Sequence, residues 1–199
     1  MILRRPDPSA RLETNVHTDR HLEVVERCKH GDRKAQYELY RHYSKAMFNV
    51  CMRILNHVGE AEDALQEAFL DAFRNLHTFR NQSTFGAWLK QIVVNRAINH
   101  LRGRRVQWVD LDTARLGQDD GPDLADPEPF DEEGIQLEVT LVRRAMQHLP
   151  EGYRVVLSLY LFEGYDHEEI GVVLGISEST SRTQYMRAKK RLLALLKHY

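Results

Sequence analysis

From Ala61 to Leu76, small and apolar residues keep to one spacing: Ala61, Ala64, Leu65, Ala68, Phe69, Ala72, Phe73 and Leu76 stand at i, i+3, i+4, i+7, i+8, i+11, i+12 and i+15. A turn of 3.6 residues brings all of them to one side, and an alternating strand does not, so a long helix with one buried face is expected. The other face carries Glu60, Glu62, Asp63, Gln66, Glu67 and Asp71. An acidic face of this kind suits a basic groove on a protein better than it suits DNA. No β-branched alternating run of useful length occurs elsewhere, so the expected fold class is all-α.

Proline and glycine cluster in the first eight or so residues and again between Gly117 and Gly134, with Pro122, Pro127 and Pro129. These breaks divide the chain into a loose tail (1–20), a helical domain (21–103), a flexible linker (104–136) and a second helical domain (137–199). A length of 199 residues leaves room for two small helical modules but not for a barrel enzyme with a second domain.

Charge follows the same division. The 28 basic and 29 acidic residues sum to a net charge of -1, which excludes a uniformly basic coat for nucleic acid. Yet Lys90, Arg96, Arg102, Arg104 and Arg105 stand together without an acid. The next stretch, from Asp110 to Glu138, holds acids against the single base Arg115. After Ile176 the residues Arg182, Arg187, Lys189, Lys190, Arg191 and Lys197 face only Glu178. Local fields decide phosphate attraction over a Debye length of about 8 Å, so two basic surfaces flanking an acidic connector are compatible with a neutral total.

Several function classes drop out. Cys28 and Cys51 are the only cysteines, which gives neither a disulfide framework nor a CxxC metal pair and points to a reducing cytoplasm. The apolar runs, such as Leu192 to Leu196, fall far short of the roughly 20 residues of a membrane helix. The N-terminus, with Arg4, Arg5, Pro6 and Pro8, lacks the apolar core of a signal peptide. There is no GxxxxGK[ST] loop, and His167-Glu168-Glu169 lacks the second His of a zinc-protease helix. His17 and His21 have no acid or thiol cluster beside them, and the acids from Asp119 to Glu133 lack the ligand order of a calcium loop. No catalytic residue, metal or cofactor is expected.

A second helix is expected from Phe85 to Leu101, with Ser83 as its N-cap and Phe85, Trp88, Leu89, Ile92, Val93, Ala97, Ile98 and Leu101 as its core contacts. On another face Gln91, Asn95, Asn99 and Arg102 stand at i, i+4, i+8 and i+11, with Arg96 beside them. Amides offer both a donor and an acceptor to a base edge, and Arg holds phosphate or guanine, so the stripe suits DNA reading. The preceding loop, Phe79-Arg80-Asn81-Gln82-Ser83-Thr84-Phe85, is either a grip for one unstacked base between ring faces and backbone groups or an ordinary capped loop whose phenylalanines belong to the core.

In the second domain Asp166 and Glu169 form a capping-box pattern opening a short helix that stops at Gly175, and Ser177 can cap a longer one reaching Leu196. A short helix, a tight glycine turn and a long basic helix make a helix-turn-helix. Its last helix should turn Ser181, Tyr185, Ala188, Leu192 and Leu195 inward and Ser179, Arg182, Thr183, Met186, Arg187 and Lys190 outward, where they can enter a major groove.

Taken in order, these pieces resemble an extracytoplasmic-function sigma factor of the primary-sigma family. Asp63-Ala64-Leu65-Gln66-Glu67-Ala68-Phe69 is similar to the family's polymerase-binding motif, and Phe85-Gly86-Ala87-Trp88-Leu89 through Asn95-Arg96-Ala97-Ile98-Asn99 to its promoter-melting segment. Leu149-Pro150, Glu169-Ile170, Leu174-Gly175-Ile176-Ser177 and Arg187-Ala188-Lys189-Lys190-Arg191-Leu192 fit its second promoter-reading domain. The resemblance implies a sigma-2 bundle and a sigma-4 helix-turn-helix, and a chain that directs core RNA polymerase to promoters without bond chemistry. It also implies that Asp63, Gln66, Glu67 and Phe69 bind polymerase. Arg80, Asn81, Ser83, Thr84, Trp88, Asn95, Arg96 and Asn99 would hold the single-stranded minus-10 element. Ser179, Thr180, Arg182, Thr183, Met186, Arg187 and Lys190 would take the minus-35 duplex. An anti-sigma partner is expected on the same ground, and the acidic linker could lie in a basic polymerase channel. Two positions depart from the pattern: Ser181 replaces a usually apolar residue, and Gln184 stands where Arg is frequent. The alternative is a stand-alone helix-turn-helix regulator, which would need no acidic docking helix.

Overall fold

The computed structural model describes residues 21–104 and 132–197, and among these every regular element is helical. The expected tail and residues 105–131 of the acidic connector lie outside the described residues.

The first lobe holds α1 (Leu22–Lys29), α2 (Arg33–Leu55), α3 (Val58–Arg74) and α4 (Phe85–Gly103). Asp32 starts α2 by accepting the Lys34 and Ala35 amides at 2.8 and 3.2 Å. Arg27 donates to the same carboxylate, and that bond holds Asp32 below its usual acidity range. Asn56 ends α2 in the left-handed region at φ 52°. On α3 the residues Ala61, Ala64, Ala68 and Ala72 are completely buried, and their small side chains let α2 and α4 approach closely. Helix α4 begins as expected, but its cap is Thr84, whose hydroxyl accepts the Ala87 amide at 3.2 Å. Ser83 is one residue too early for that geometry and stays exposed.

The second lobe holds α5 (Glu132–Gln147), α6 (Glu151–Leu161), α7 (His167–Leu174) and α8 (Glu178–Leu196). Helix α5 begins inside the stretch assigned to the linker, because beyond Pro129 no residue forbids a helix. The capping box is complete: the Asp166 carboxylate accepts the Glu169 amide at 2.8 Å, and the Glu169 carboxylate accepts the Asp166 amide at 2.9 Å. Gly175 takes φ 72° to close α7, and Ser177 caps α8 through the Thr180 amide at 3.0 Å. Gly171 lets α7 lie against the turn, since a Cβ there would stand 2.9 Å from the Ile176 carbonyl oxygen.

The lobes are not separate bodies. Val155, Val156 and Leu159 of α6, with Ile170 and Leu174 of α7, join the buried cluster built by α1–α4. A smaller cluster, with Met146, Leu149, Tyr153, Leu157, Ala188 and Leu192, belongs to the second lobe alone. Arg154, only 6% exposed, donates from α6 to the carbonyls of Leu149 at 3.3 Å and Ile54 at 3.4 Å, tying the lobes at the end of α2.

Candidate nucleic-acid interface

The acidic side of α3 presents Asp63, Gln66 and Glu67 to solvent. Phe69 does not join them. It is 3% exposed and packs edge-on against Tyr40 at 4.9 Å, so within that motif Phe69 takes the core position that the apolar stripe gave it. The apolar group on that face is Leu70, 55% exposed, which completes the spacing of residues 63, 66, 67 and 70. Its signal was present in the sequence as the one leucine of α3 outside the buried stripe. Glu67 also meets α4, with its carboxylate 3.3 Å from His100 Nε2 and 3.8 Å from Arg96.

On α4 the structure gathers Trp88, Asn95, Arg96 and Asn99 around one recess of about 370 Å³, with Ile92 as an apolar wall and Asp71 and Thr78 at its edge. Asn95 and Asn99 are exposed and Trp88 is half-buried. An indole and an aliphatic wall offer a base its stacking surface, and two amides offer its edge both donors and acceptors. Arg96 is turned back onto α3, where its guanidinium pairs with Asp71. Its first role is thus to fix α4 against α3, and more than a third of its side chain remains exposed.

The loop before α4 is rooted rather than open. Phe79 and Phe85 are 3% and 0% exposed, so their rings are not free to sandwich a base. They pack on each other at 5.8 Å and on Trp88 at 5.4 and 5.7 Å. Lys29 donates to the Phe79 carbonyl at 3.2 Å and lies over its ring. What the loop exposes is Arg80, Asn81, Gln82 and Ser83, with Asn81 in the left-handed region at φ 56°, while Thr84 is engaged as a cap. The aromatic signal pointed to packing that positions Trp88 beside the recess.

On α8 the outward residues Ser179, Arg182, Thr183, Met186 and Lys190 are exposed, with Met186 at 63%, and Thr180 and Arg187 are half-buried. Arg182 pairs with Glu178 one turn earlier, and the Thr183 hydroxyl donates to the Ser179 carbonyl at 2.9 Å. Hydroxyls of Ser177, Ser179 and Thr180 sit together at the helix start, with Ser177 Oγ 2.9 Å from Ser179 Oγ and 2.8 Å from Thr180 Oγ1. Such a helix N-terminus favours a phosphate.

The two departures from the family pattern acquire reasons. Ser181 is completely buried and satisfied by His167 Nδ1 at 3.0 Å, and His167 in turn stacks on Tyr160 with centroids 4.7 Å apart. Gln184 is 8% exposed and faces the lobe interior, so it stands away from the surface that a groove would meet.

Among the described residues no cluster of three metal-ligating side chains occurs, and no helix is long and apolar enough to cross a membrane. Two family models match in chain order: Sigma-70 region 2 over residues 39–106 and Sigma-70 region 4 over residues 140–192. The chain is 34% identical to the RNA polymerase sigma-H factor of Pseudomonas aeruginosa over 175 residues, covering 85% of this chain and 90% of that protein. It is 32% identical to the ECF RNA polymerase sigma-E factor of Escherichia coli K12 over 177 residues, with the same shares covered. Among solved structures, CnrH in complex with the cytosolic domain of CnrY matches at a TM-score of 0.50 and 22% identity, covering 88% of this chain and 96% of that one. RpoE in complex with the anti-sigma factor NepR from Bartonella quintana matches at 0.50 and 21% identity, covering 81% and 96%, and both likenesses concern the fold. An acidic helix, an amide-lined recess and a helix-turn-helix in this order, with relatives at this identity over most of their length, place the chain in the sigma-70 family, in its extracytoplasmic-function branch.

Proposed function

We propose that the chain is a dissociable promoter-specificity subunit that works with bacterial core RNA polymerase in the cytoplasm and performs no bond chemistry itself. The observation that carries this reading is the α4 recess, which brings Trp88, Asn95, Arg96 and Asn99 to one place although only their helical spacing linked them in sequence. An unpaired base stacked there gains about 1–3 kcal/mol, enough to hold a melted strand once several contacts add.

In this reading Asp63, Gln66 and Glu67 dock on the basic clamp helices of the largest polymerase subunit, with Leu70 supplying the apolar contact. Arg80, Asn81 and Ser83 follow the displaced strand, and Thr84 sets the loop that carries them. The hydroxyls of Ser179 and Thr180 hold phosphate of the minus-35 duplex, and Arg182, Thr183, Met186, Arg187 and Lys190 face its major groove. Arg182 exchanges Glu178 for DNA when it binds. Residues 21–103 serve as the sigma-2 unit and 137–199 as the sigma-4 unit. An anti-sigma partner that binds this chain, as NepR forms a complex with RpoE, belongs to the same proposal.

Run-off transcription with purified core polymerase tests this. Start-site-specific transcript that requires the chain supports it. Duplex binding without any promoter-directed transcript refutes it and leaves a stand-alone regulator.

A further inference from the structure

On the reading above, two lobes address elements about 25 base pairs apart, a span of roughly 85 Å at 3.4 Å per base pair. A packed body the size of both lobes has a radius of gyration of only about 15 Å. The packed arrangement therefore cannot engage both elements at once. Residues 105–131 are long enough to allow separation, since that length of chain reaches roughly 90 Å when extended.

Besides its shared apolar core, the seam that would have to part is joined by one buried acid that takes cations from two helices of the other lobe. Glu163 follows the C-terminal end of α6, and its side chain is 2% exposed. Arg53 of α2 donates to its carboxylate through Nε at 2.9 Å and Nη2 at 2.5 Å. Lys90 of α4 donates to the Glu163 carbonyl at 2.8 Å and lies 3.9 Å from the carboxylate. A carboxylate at a helix C-terminus meets the negative end of the helix dipole, so its charge is tolerated there because the other lobe supplies cations.

Other polar contacts cross the seam as well. Arg102, the basic end of the amide stripe, donates to the Val173 carbonyl of α7 at 2.7 Å, and Arg104 approaches Glu151 at 3.3 Å. The seam is also imperfectly filled. A gap of about 410 Å³ runs between α2 and α5–α6, lined by Met52, Arg53, Asn56, Met146, Gln147 and Phe162 among others. Attraction within a buried ion pair is largely offset by desolvation, so such a contact specifies geometry without adding a large net stability.

We propose that Glu163, held by Arg53 and Lys90, clasps the two lobes in a closed resting form that must open before polymerase and promoter are engaged. The clasp is a self-masking contact within the chain. It spends Arg102 on the second lobe, and it keeps the lobes too close to reach both elements.

The test compares the full-length wild type with Glu163→Gln and Arg53→Gln. Removing the charge-assisted bonds shifts the opening equilibrium by roughly tenfold to a hundredfold. Because apparent affinity scales with the open fraction, both variants should bind core polymerase at least about tenfold more tightly. The double variant should gain little more than either single one, since both break the same contact. Circular dichroism verifies folding, and Arg53→Gln serves if Glu163→Gln does not fold. Unchanged or weaker binding by the folded variants overturns the clasp, as do additive gains. Should the wild type fail to bind core polymerase, it is the proposed function that falls. X-ray scattering of the free proteins then decides the clasp alone: a compact wild type and expanded variants support it, and an already expanded wild type or unexpanded variants overturn it.

Discussion

Gly171→Ala is expected to damage minus-35 recognition through a single methyl group. In the structure an added Cβ would stand 2.9 Å from the Ile176 carbonyl oxygen, 3.5 Å from the Glu178 amide nitrogen and 3.6 Å from the Ser177 carbonyl carbon. The first contact is about half an ångström too close, against optimal separations near 3.5 Å. The oxygen belongs to a turn that cannot swing freely, because the Gly175 and Ile176 amides both donate to the Gly171 carbonyl, at 2.9 and 3.0 Å. Overpacking of this kind costs about 1–3 kcal/mol, and the gain in helix propensity from glycine to alanine returns about 1 kcal/mol. The net loss is therefore up to about 2 kcal/mol, a fall in Tm of several degrees for a small domain. The larger effect is positional. Relief of the overlap moves Ile176 and Ser177, and with them the start of α8 that carries Ser179, Thr180 and Arg182. A displacement worth one charge-assisted contact weakens minus-35 binding by about tenfold or more. Transcription from a promoter with an intact minus-35 element should fall by that factor, and from one with a scrambled element it should change little. A higher Tm together with undiminished dependence on the minus-35 element would refute the reasoning.

Phe69→Ala should cost about 3–5 kcal/mol of stability as a core deletion, and Leu70→Ser should leave Tm nearly unchanged while weakening core polymerase binding; the reverse pattern would return Phe69 to the surface. Asn95→Ala and Asn99→Ala are expected to weaken binding of a minus-10 single strand by about 1–3 kcal/mol each with no change in helicity, which fluorescence anisotropy on labelled oligonucleotides can measure. Burial pushes the thiols of Cys28 and Cys51 up to about 11 and about 12. Both should therefore resist alkylation at neutral pH until the chain unfolds. The folded state keeps these protons while the unfolded thiols ionise near pH 9, so this contribution to stability is intact below that pH. It is lost as pH rises from there through the two folded values. Alkaline denaturation monitored by circular dichroism reads the loss, and Cys51→Ala should reduce the slope.

The elements that were legible in the sequence are those specified by local chemistry. The α3 stripe needs only a 3.6-residue period, and every alanine named in it is buried. The α7 capping box and the Gly175 stop need only four and nine residues of context. Surface orientation on α8 followed from the same period, including the exposure of Met186. Errors arose where adjacent residues share a chemistry. Ser83 and Thr84 are both good caps, and only the backbone geometry at the first turn separates them. Phe79 and Phe85 are as compatible with a base sandwich as with a core, and their burial depends on Tyr43 of α2 and Lys29 of α1 as well as on Trp88 of α4. The partners of Arg154 and Glu163 could not be inferred at all. Ile54 lies 100 residues from Arg154 and Arg53 lies 110 from Glu163, and no periodic pattern links positions so far apart.

The most direct measurement for the whole account is promoter-specific initiation by purified core polymerase with and without the full chain, on templates carrying either element intact or scrambled. The expected result is transcript from one start site that requires the chain, falls when either element is scrambled, and is lost when Asn95 and Asn99 are both replaced by alanine. Transcript that is the same with and without the chain, or that ignores both elements, would contradict it.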